Sequence, residues 1–202
     1  MFITFEGIDF SGKSTQIKLF TEKLDQLNKS YMMVREPGGL ELCEEIRETI
    51  LDNKHSDMTP ETELLLYSAS RAQLVIQKIK PALNSYDYII GDRFFDSTTV
   101  YQGFGRQLDI EFIKQLNQFA TRQLTPDITF LLDVSVEESY ERRKSAGRSE
   151  DRIEKAGTEF FTRVRDGYLI LAANEKRIKV LDGTKPADEI HNQIMETIKL
   201  LE

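Results

Sequence analysis

The sequence predicts a three-layer α/β fold, a five-stranded parallel sheet flanked by helices. Three observations predict it. Short β-rich runs alternate with amphipathic helical stretches, several runs are apolar on both faces, and the first run leads into a glycine-rich loop that opens a helix. At 202 residues the chain is long enough for one sizeable core, and 1–202 is read as a single domain.

The β-rich runs are 2–6, 30–35, 86–91, 128–134 and 177–181. Phe2-Ile3-Thr4-Phe5, Tyr88-Ile89-Ile90 and 128–132 are nearly continuous in apolar or β-branched residues, the pattern of strands covered by helices on both faces. Between them, Ile17, Phe20, Leu24 and Leu27 form one helical stripe, and Ile190, Ile194, Ile198 and Leu201 form another. Thr59-Pro60, followed by Glu61 and Glu63, reads as an N-cap, a first-turn proline and acidic residues against the helix dipole. That helix is expected to run to about Lys80, with Pro81 marking a kink or its end. Its apolar residues, among them Leu65, Leu66, Leu74, Ile76 and Ile79, cover more than one face. One face is expected on the sheet and the other on a second subunit; a wholly internal helix is the alternative.

Composition narrows the function classes. The chain is 40% hydrophobic and 30% charged with a net charge of −7, which argues against broad attraction to nucleic acid polymers or anionic membranes. Phosphate chemistry must then rest on a few placed cations. The single cysteine, Cys43, excludes an internal disulfide and reads as a small core or interface hydrophobe. The first strand begins at the N-terminus, no apolar run reaches bilayer length, and a cytoplasmic protein is expected.

Gly7-Ile8-Asp9-Phe10-Ser11-Gly12-Lys13-Ser14 matches G-x-x-x-x-G-K-[ST], after a buried strand and before an amphipathic helix that continues at Thr15. The glycines let backbone N–H groups turn onto phosphates, with the helix N-terminus adding its positive end. Lys13 is expected to reach the β- and γ-phosphates and the Ser14 hydroxyl to ligate Mg²⁺. A nucleoside triphosphate is therefore the expected ligand. The guanine-reading N-K-x-D element of GTPases is missing, since Asn53-Lys54-His55-Ser56-Asp57 has the wrong spacing and lies too early. Motor and transporter ATPases are usually larger, so a small-molecule kinase is expected.

Such a kinase needs a second anion site and a cationic lid. Asp92-Arg93 follows Tyr88-Ile89-Ile90-Gly91 and emerges at the carboxyl end of a central strand, where ligands of open α/β sheets bind. Asp92 can hold Mg²⁺ through water and Arg93 can fork onto an acceptor phosphate; an ion pair between the two is the alternative. The run Glu141-Arg142-Arg143-Lys144-Ser145-Ala146-Gly147-Arg148-Ser149-Glu150-Asp151-Arg152 gathers four arginines around a glycine-containing loop. It reads as a lid over 142–153 or as a solvated charged surface.

Taken together, these residues resemble the bacterial-type thymidylate kinases, a family with the P-loop nucleoside monophosphate kinase fold. The resemblance covers nearly the whole chain. It rests on Phe5-Glu6-Gly7-Ile8-Asp9, Arg35-Glu36-Pro37-Gly38-Gly39, Tyr67 with Arg71, Asp92-Arg93-Phe94, Ser97-Thr98, Tyr101-Gln102-Gly103 and the arginine-rich lid. It implies transfer of the γ-phosphoryl group of Mg·ATP to dTMP, by a homodimer that needs no membrane or nucleic acid polymer. It further implies that Tyr67 stacks on thymine while Arg71 donates to its O4, four residues along one helix face. The family more often has Phe at the stacking position. Thr98 and Gln102, beside Ser97, resemble the polar readers of the base. Tyr101 resembles the ring that crowds C2′, and Asp9 the carboxylate that holds the 3′-hydroxyl. Arg93 and Arg35 resemble the acceptor-phosphate clamp, and Pro37 the turn beside it. The loop 182–186, including Lys185, occupies the adenine-holding position. Family members carry arginine or glycine where this chain has Phe10, which cannot neutralise charge. The catalytic cation is then expected from the lid, Arg148 first, with Arg143 and Arg152 behind it. Arg148→Ala is accordingly expected to lower kcat far more than it raises the acceptor KM.

Overall fold

The computed structural model describes residues 1–147 and 149–201, so Arg148, the first lid candidate, lies outside the described residues. The elements follow in chain order as β1 (Phe2–Glu6), α1 (Lys13–Gln26), β2 (Tyr31–Arg35), α2 (Glu41–Leu51), α3 (Pro60–Leu74), α4 (Lys80–Ala82), β3 (Tyr88–Asp92), α5 (Phe95–Thr98), α6 (Ile110–Thr121), β4 (Ile128–Asp133), α7 (Val136–Ala146), α8 (Thr158–Asn174), β5 (Ile178–Asp182) and α9 (Ala187–Lys199). All five strands pair in parallel, in the order β2-β3-β1-β4-β5. Ile3 pairs with Ile90 on one side and Ile128 on the other. The three runs read as two-sided strands are the central ones, and Ile3, Phe5, Ile90 and Phe130 are fully buried. Burying each such side chain contributes ~1.5–3 kcal/mol.

Helices cover both faces. Ile17, Phe20 and Leu24 of α1 pack with Ile190, Ile194 and Ile198 of α9 on one of them. Neither stripe extends to its fourth member. Leu27 is 49% exposed, because the helix stops at Gln26 and the chain reverses at Asn28, whose φ is 53°. Leu201 is half exposed beyond the end of α9.

Thr59 caps α3 through its side chain, which accepts from the Thr62 N–H. Pro81 does not end the helical path. A π-helical segment, Val75–Ile79, joins α3 to α4, and the proline sits in the first turn of α4. A proline frees the carbonyl one turn before it, and a widened turn absorbs that mismatch. On the outer side, Leu65 and Ile76 are exposed. Cys43 is fully buried, its thiol donating to the Ser70 carbonyl at 3.3 Å.

Candidate functional site

The carboxyl ends of β1, β2 and β3 carry the site. The backbone turns at Gly7 with φ +135°, where an added Cβ would lie 2.5 Å from the Leu132 carbonyl oxygen. Gly12, at φ +103°, serves as the N-cap of α1, and both positions therefore need glycine. Between them Phe10 takes φ 58°, a left-handed conformation that a bulky side chain rarely adopts. Two residues of α7 hold this stretch from outside. Ser139 Oγ donates to the Asp9 carbonyl at 2.7 Å, and Arg142 donates to the carbonyls of Phe10 at 3.3 Å and Gly183 at 2.9 Å. Phe10 borders a small cleft with Tyr140, Arg143 and Phe161, which puts it between the loop and the base of the predicted lid.

Two cavities open along this edge. One, of about 1200 Å³, is lined by Gly12, Lys13, Ser14, Thr15, Arg35, Asp92 and Arg142. The second, of about 680 Å³, is lined by Pro37, Tyr67, Arg71, Ser97, Thr98, Tyr101 and Gln102. Asp9, Glu36, Arg47 and Arg93 line both, so the cavities meet at two carboxylates and two guanidinium groups. The residues that the resemblance assigned to an acceptor are thus brought to one wall-to-wall cavity, with Arg35 in its neighbour. Lys185 lines neither and pairs with Glu189 one helical turn along α9.

Lys13 Nζ donates to the carbonyls of Gly7 at 3.0 Å and Ile8 at 2.9 Å, folded back over the loop. Burial, reinforced by Arg93, depresses its pKa to about 8, against the pull of Asp9, Asp92 and Glu6. Ser14 Oγ and the Asp92 carboxylate supply hard oxygen donors at one cavity, a donor set that suits Mg²⁺ held with phosphate oxygens.

Arg93 pairs with Asp9 at 2.7 Å rather than with its neighbour Asp92. Its guanidinium also donates to the Gly7 carbonyl at 2.7 Å and Ser97 Oγ at 3.3 Å, and lies over the Tyr101 ring. Behind it, buried Glu6 accepts from the Phe94 N–H, Ser97 Oγ and Tyr168 Oη within 2.7 Å. Burial pushes the Glu6 carboxyl above its ordinary range, and Asp96 adds to that.

Arg71 is 1% exposed. It donates to Glu36 at 2.7 Å, Asn117 at 3.1 Å, Thr98 Oγ1 at 2.9 Å and the Phe94 carbonyl at 3.4 Å. A guanidinium has five N–H groups, so these four bonds leave one at Nη1 for a ligand. Glu36 keeps its second oxygen without a partner among the described residues. Burial pushes its carboxyl up to about 7 despite Arg71.

A pH test of stability follows. Below about 4.5 Glu36 holds its proton in both folded and unfolded chains; between 4.5 and 7 only the folded chain keeps it. Folding stability at this site therefore falls as pH rises through that window, by roughly 3 kcal/mol in all. Urea unfolding at pH 5 and pH 8 is expected to show wild type losing that much relative to Glu36→Gln. A difference that stays constant would mean that Arg71 keeps Glu36 ionised throughout.

The two lid candidates among the described residues, Arg143 and Arg152, are both engaged. Arg143 pairs with Glu150 at 2.6 Å and lies over the Tyr140 ring. Arg152 is 9% exposed and donates to Glu63 and to the Ile50 carbonyl, both at 2.7 Å, while Asp151 and Ile153 on either side line the smaller cavity. Sequence reasoning missed Glu63, Arg47, Arg142 and Tyr168 as site residues. Arg47 donates to the Pro37 carbonyl at 3.1 Å, and burial beside Arg35 holds its pKa below the ordinary arginine value. Only Arg142 carried a signal, its place in the basic run; nothing local marks Tyr168 or Arg47.

The family model described as thymidylate kinase matches residues 5–194. The thymidylate kinase of Kosmotoga olearia is 47% identical over 201 residues, covering 99% of this chain and 96% of that protein. That of Prosthecochloris aestuarii is 47% identical over 207 residues, covering 98% and 92%. The crystal structure of thymidylate kinase from Ehrlichia chaffeensis superposes with a TM-score of 0.78 at 35% identity, covering 98% of each chain. A phosphate loop, a second cavity joined to it by placed cations, and relatives of this similarity along nearly the full length together mean that the chain belongs to the thymidylate kinase family.

Proposed function

We propose that the larger cavity holds the triphosphate of Mg·ATP, the smaller holds dTMP, and the γ-phosphoryl group crosses where they meet. The meeting of both cavities at Asp9, Glu36, Arg47 and Arg93 is the observation that carries this reading. An oxygen of the acceptor phosphate attacks Pγ, the Pγ–O bond to the β-phosphate breaks, and ADP and dTDP result. The attacking oxygen is already an anion, so no strong general base is required. The work of the protein is positioning and charge neutralisation. Lys13 leaves the loop carbonyls for the β- and γ-phosphates, and Arg93, with Arg35 and Arg47, holds the acceptor phosphate. Ser14 and Asp92 would hold Mg²⁺, which when bound spreads the charge of the β- and γ-oxygens.

Tyr67 provides a ring face for thymine, and Arg71 offers its remaining N–H to O4. Tyr101 places a buried hydroxyl that has no protein partner among the described residues, where a 2′-hydroxyl would crowd it. The segment 142–153 acts as a lid within a single catalytic domain, with Arg142 and Arg143 in α7 and Arg152 on Glu63 as its two moorings. Charge neutralisation over the transferred group falls to lid arginines, Arg148 among them, because Phe10 has none to offer.

A homodimer is proposed through the outer faces of α2, α3 and α6, which pack side by side. With the π-helical segment after α3, they expose Leu42, Leu65, Ile76, Phe112 and Phe119, the last 79% exposed, an apolar set that a second copy would cover. Among the described residues no helix is long and apolar enough to cross a membrane, and we place the enzyme in the cytoplasm.

The test is a coupled ADP-release assay with Mg·ATP against dTMP, dUMP, UMP, CMP, GMP and AMP. Turnover strongest with dTMP, weaker with dUMP and negligible with UMP is expected. ATP binding without any monophosphate-stimulated ADP release would favour a nucleotide-dependent switch instead.

A further inference from the structure

Resting on the reading of the smaller cavity as a dTMP site, we propose that Glu63 fixes the side-chain amide of Gln102 in one orientation and thereby makes the pocket select a base with N–H at ring position 3. Glu63 lies on α3 one turn before Tyr67, fully buried, outside the residues that line the cavity. Its carboxylate accepts four hydrogen bonds. Oε1 takes Gln102 Nε2 at 2.8 Å and Arg106 Nε at 3.1 Å; Oε2 takes Arg106 Nη2 at 3.0 Å and Arg152 Nη2 at 2.7 Å. These fill the roughly four lone-pair positions of a carboxylate. Burial pushes the Glu63 carboxyl up, but hydrogen bonds and charge from Arg106, with Gln102 and Arg152, outweigh it and hold it below its ordinary value.

An ionised carboxylate only accepts. Gln102 must therefore turn its NH₂ to Glu63, and its amide oxygen is the atom left for the cavity that Gln102 lines. Flipping the amide would set two acceptor oxygens 2.8 Å apart in a buried place, repelling each other and costing the Gln102–Glu63 hydrogen bond. The walls thus carry opposite tasks. Arg71 presents a donor, its bond to Thr98 Oγ1 keeping it in place, and Gln102 presents an acceptor. Thymine supplies a carbonyl at position 4 and an N–H at position 3, matching both. A cytosine ring supplies an amine and a bare nitrogen, matching neither. Glu63 acts through Gln102 and is a positioning residue, and nothing in its sequence setting beyond an acidic first turn marks it.

Glu63→Gln keeps the shape and changes the rule. Arg106 and Arg152 would claim the new amide oxygen, leaving its NH₂ to face Gln102 and inviting the inverted orientation. The experiment measures kcat/KM for dTMP and for 5-methyl-dCMP, which differ only at ring positions 3 and 4. The proteins are wild type, Glu63→Gln, Gln102→Leu and the double variant. In Glu63→Gln the preference for dTMP is expected to fall about tenfold or more. Gln102→Leu is expected to lower it comparably, and Glu63→Gln to change it no further in that background. Equal losses for both nucleotides in Glu63→Gln, with the preference kept, would give Glu63 a purely structural role and overturn the proposal. Should Glu63→Gln not fold, Gln102→Leu decides: a lowered preference supports the proposal and an unchanged one overturns it. Wild-type protein that shows no preference for dTMP would instead overturn the acceptor reading itself.

Discussion

Arg93→Met is expected to lower kcat/KM for dTMP by about 10³-fold, the scale on which phosphoryl-transfer enzymes lose rate when one placed arginine is removed. Arg93 leaves β3 in a left-handed conformation, φ 70°, that turns its side chain back across the strand ends. From there it binds Asp9, the Gly7 carbonyl and Ser97, and it stands where the two cavities meet. A methionine keeps the hydrophobic stem and removes every donor. The proposed clamp on the acceptor phosphate is then lost, and with it one partner of the Asp9 carboxylate. The dissociation constant of ATP is expected to change by less than about tenfold, since Lys13 and the loop remain. Steady-state kinetics with dTMP, alongside ATP binding by calorimetry, separate these effects. A variant that keeps kcat/KM within about tenfold of wild type would move the acceptor phosphate elsewhere.

Lys13→Met is expected to reduce kcat by about 10³-fold or more, because the group proposed to meet developing charge on the β- and γ-phosphates is gone. Its pH behaviour supplies an independent check. With a pKa of about 8 in the free protein, Lys13 loses its charge as pH rises through 8. A triphosphate binds the charged form, so binding takes up a proton above that pH, and affinity falls toward tenfold per further pH unit. The dissociation constant of a non-hydrolysable ATP analogue from pH 7 to 9.5 is expected to show this bend in wild type. The Lys13→Met profile is expected to be weak and flat. A wild-type profile without the bend would mean that Lys13 is not the group the triphosphate displaces from the loop carbonyls.

Much of this protein was legible in one dimension. Strands buried on both faces have to be apolar without alternation, so β1, β3 and β4 announced themselves, and the parallel sheet with them. The loop from Gly7 to Ser14 shows glycine at two of its three positive-φ positions, Gly7 and Gly12; the third, at φ 58°, is Phe10. Strand ends shifted by a residue or two, and Leu27 and Leu201 fell outside their helices. Apolar character marks an element but does not say where its hydrogen bonds stop. Pro81 posed a choice between a kink and an end, and a π-helical segment resolved it by local widening.

The sequence by itself determined the sheet and the phosphate loop, because each is written in a short pattern of residue types, and the residues it singled out from Arg35 to Gln102 line the two cavities. Only the tertiary structure decided which side chains complete them. Arg152 meets Glu63 across 89 positions, Arg93 meets Asp9 across 84, and Tyr168 meets Glu6 across 162. Patterns of a few residues report dihedral preference and burial. Contacts of that span depend on how the helices pack on the sheet, so an arginine read as a free lid cation became a buried partner of Glu63, and a glutamate in a helix's first turn became the acceptor shared by Gln102, Arg106 and Arg152.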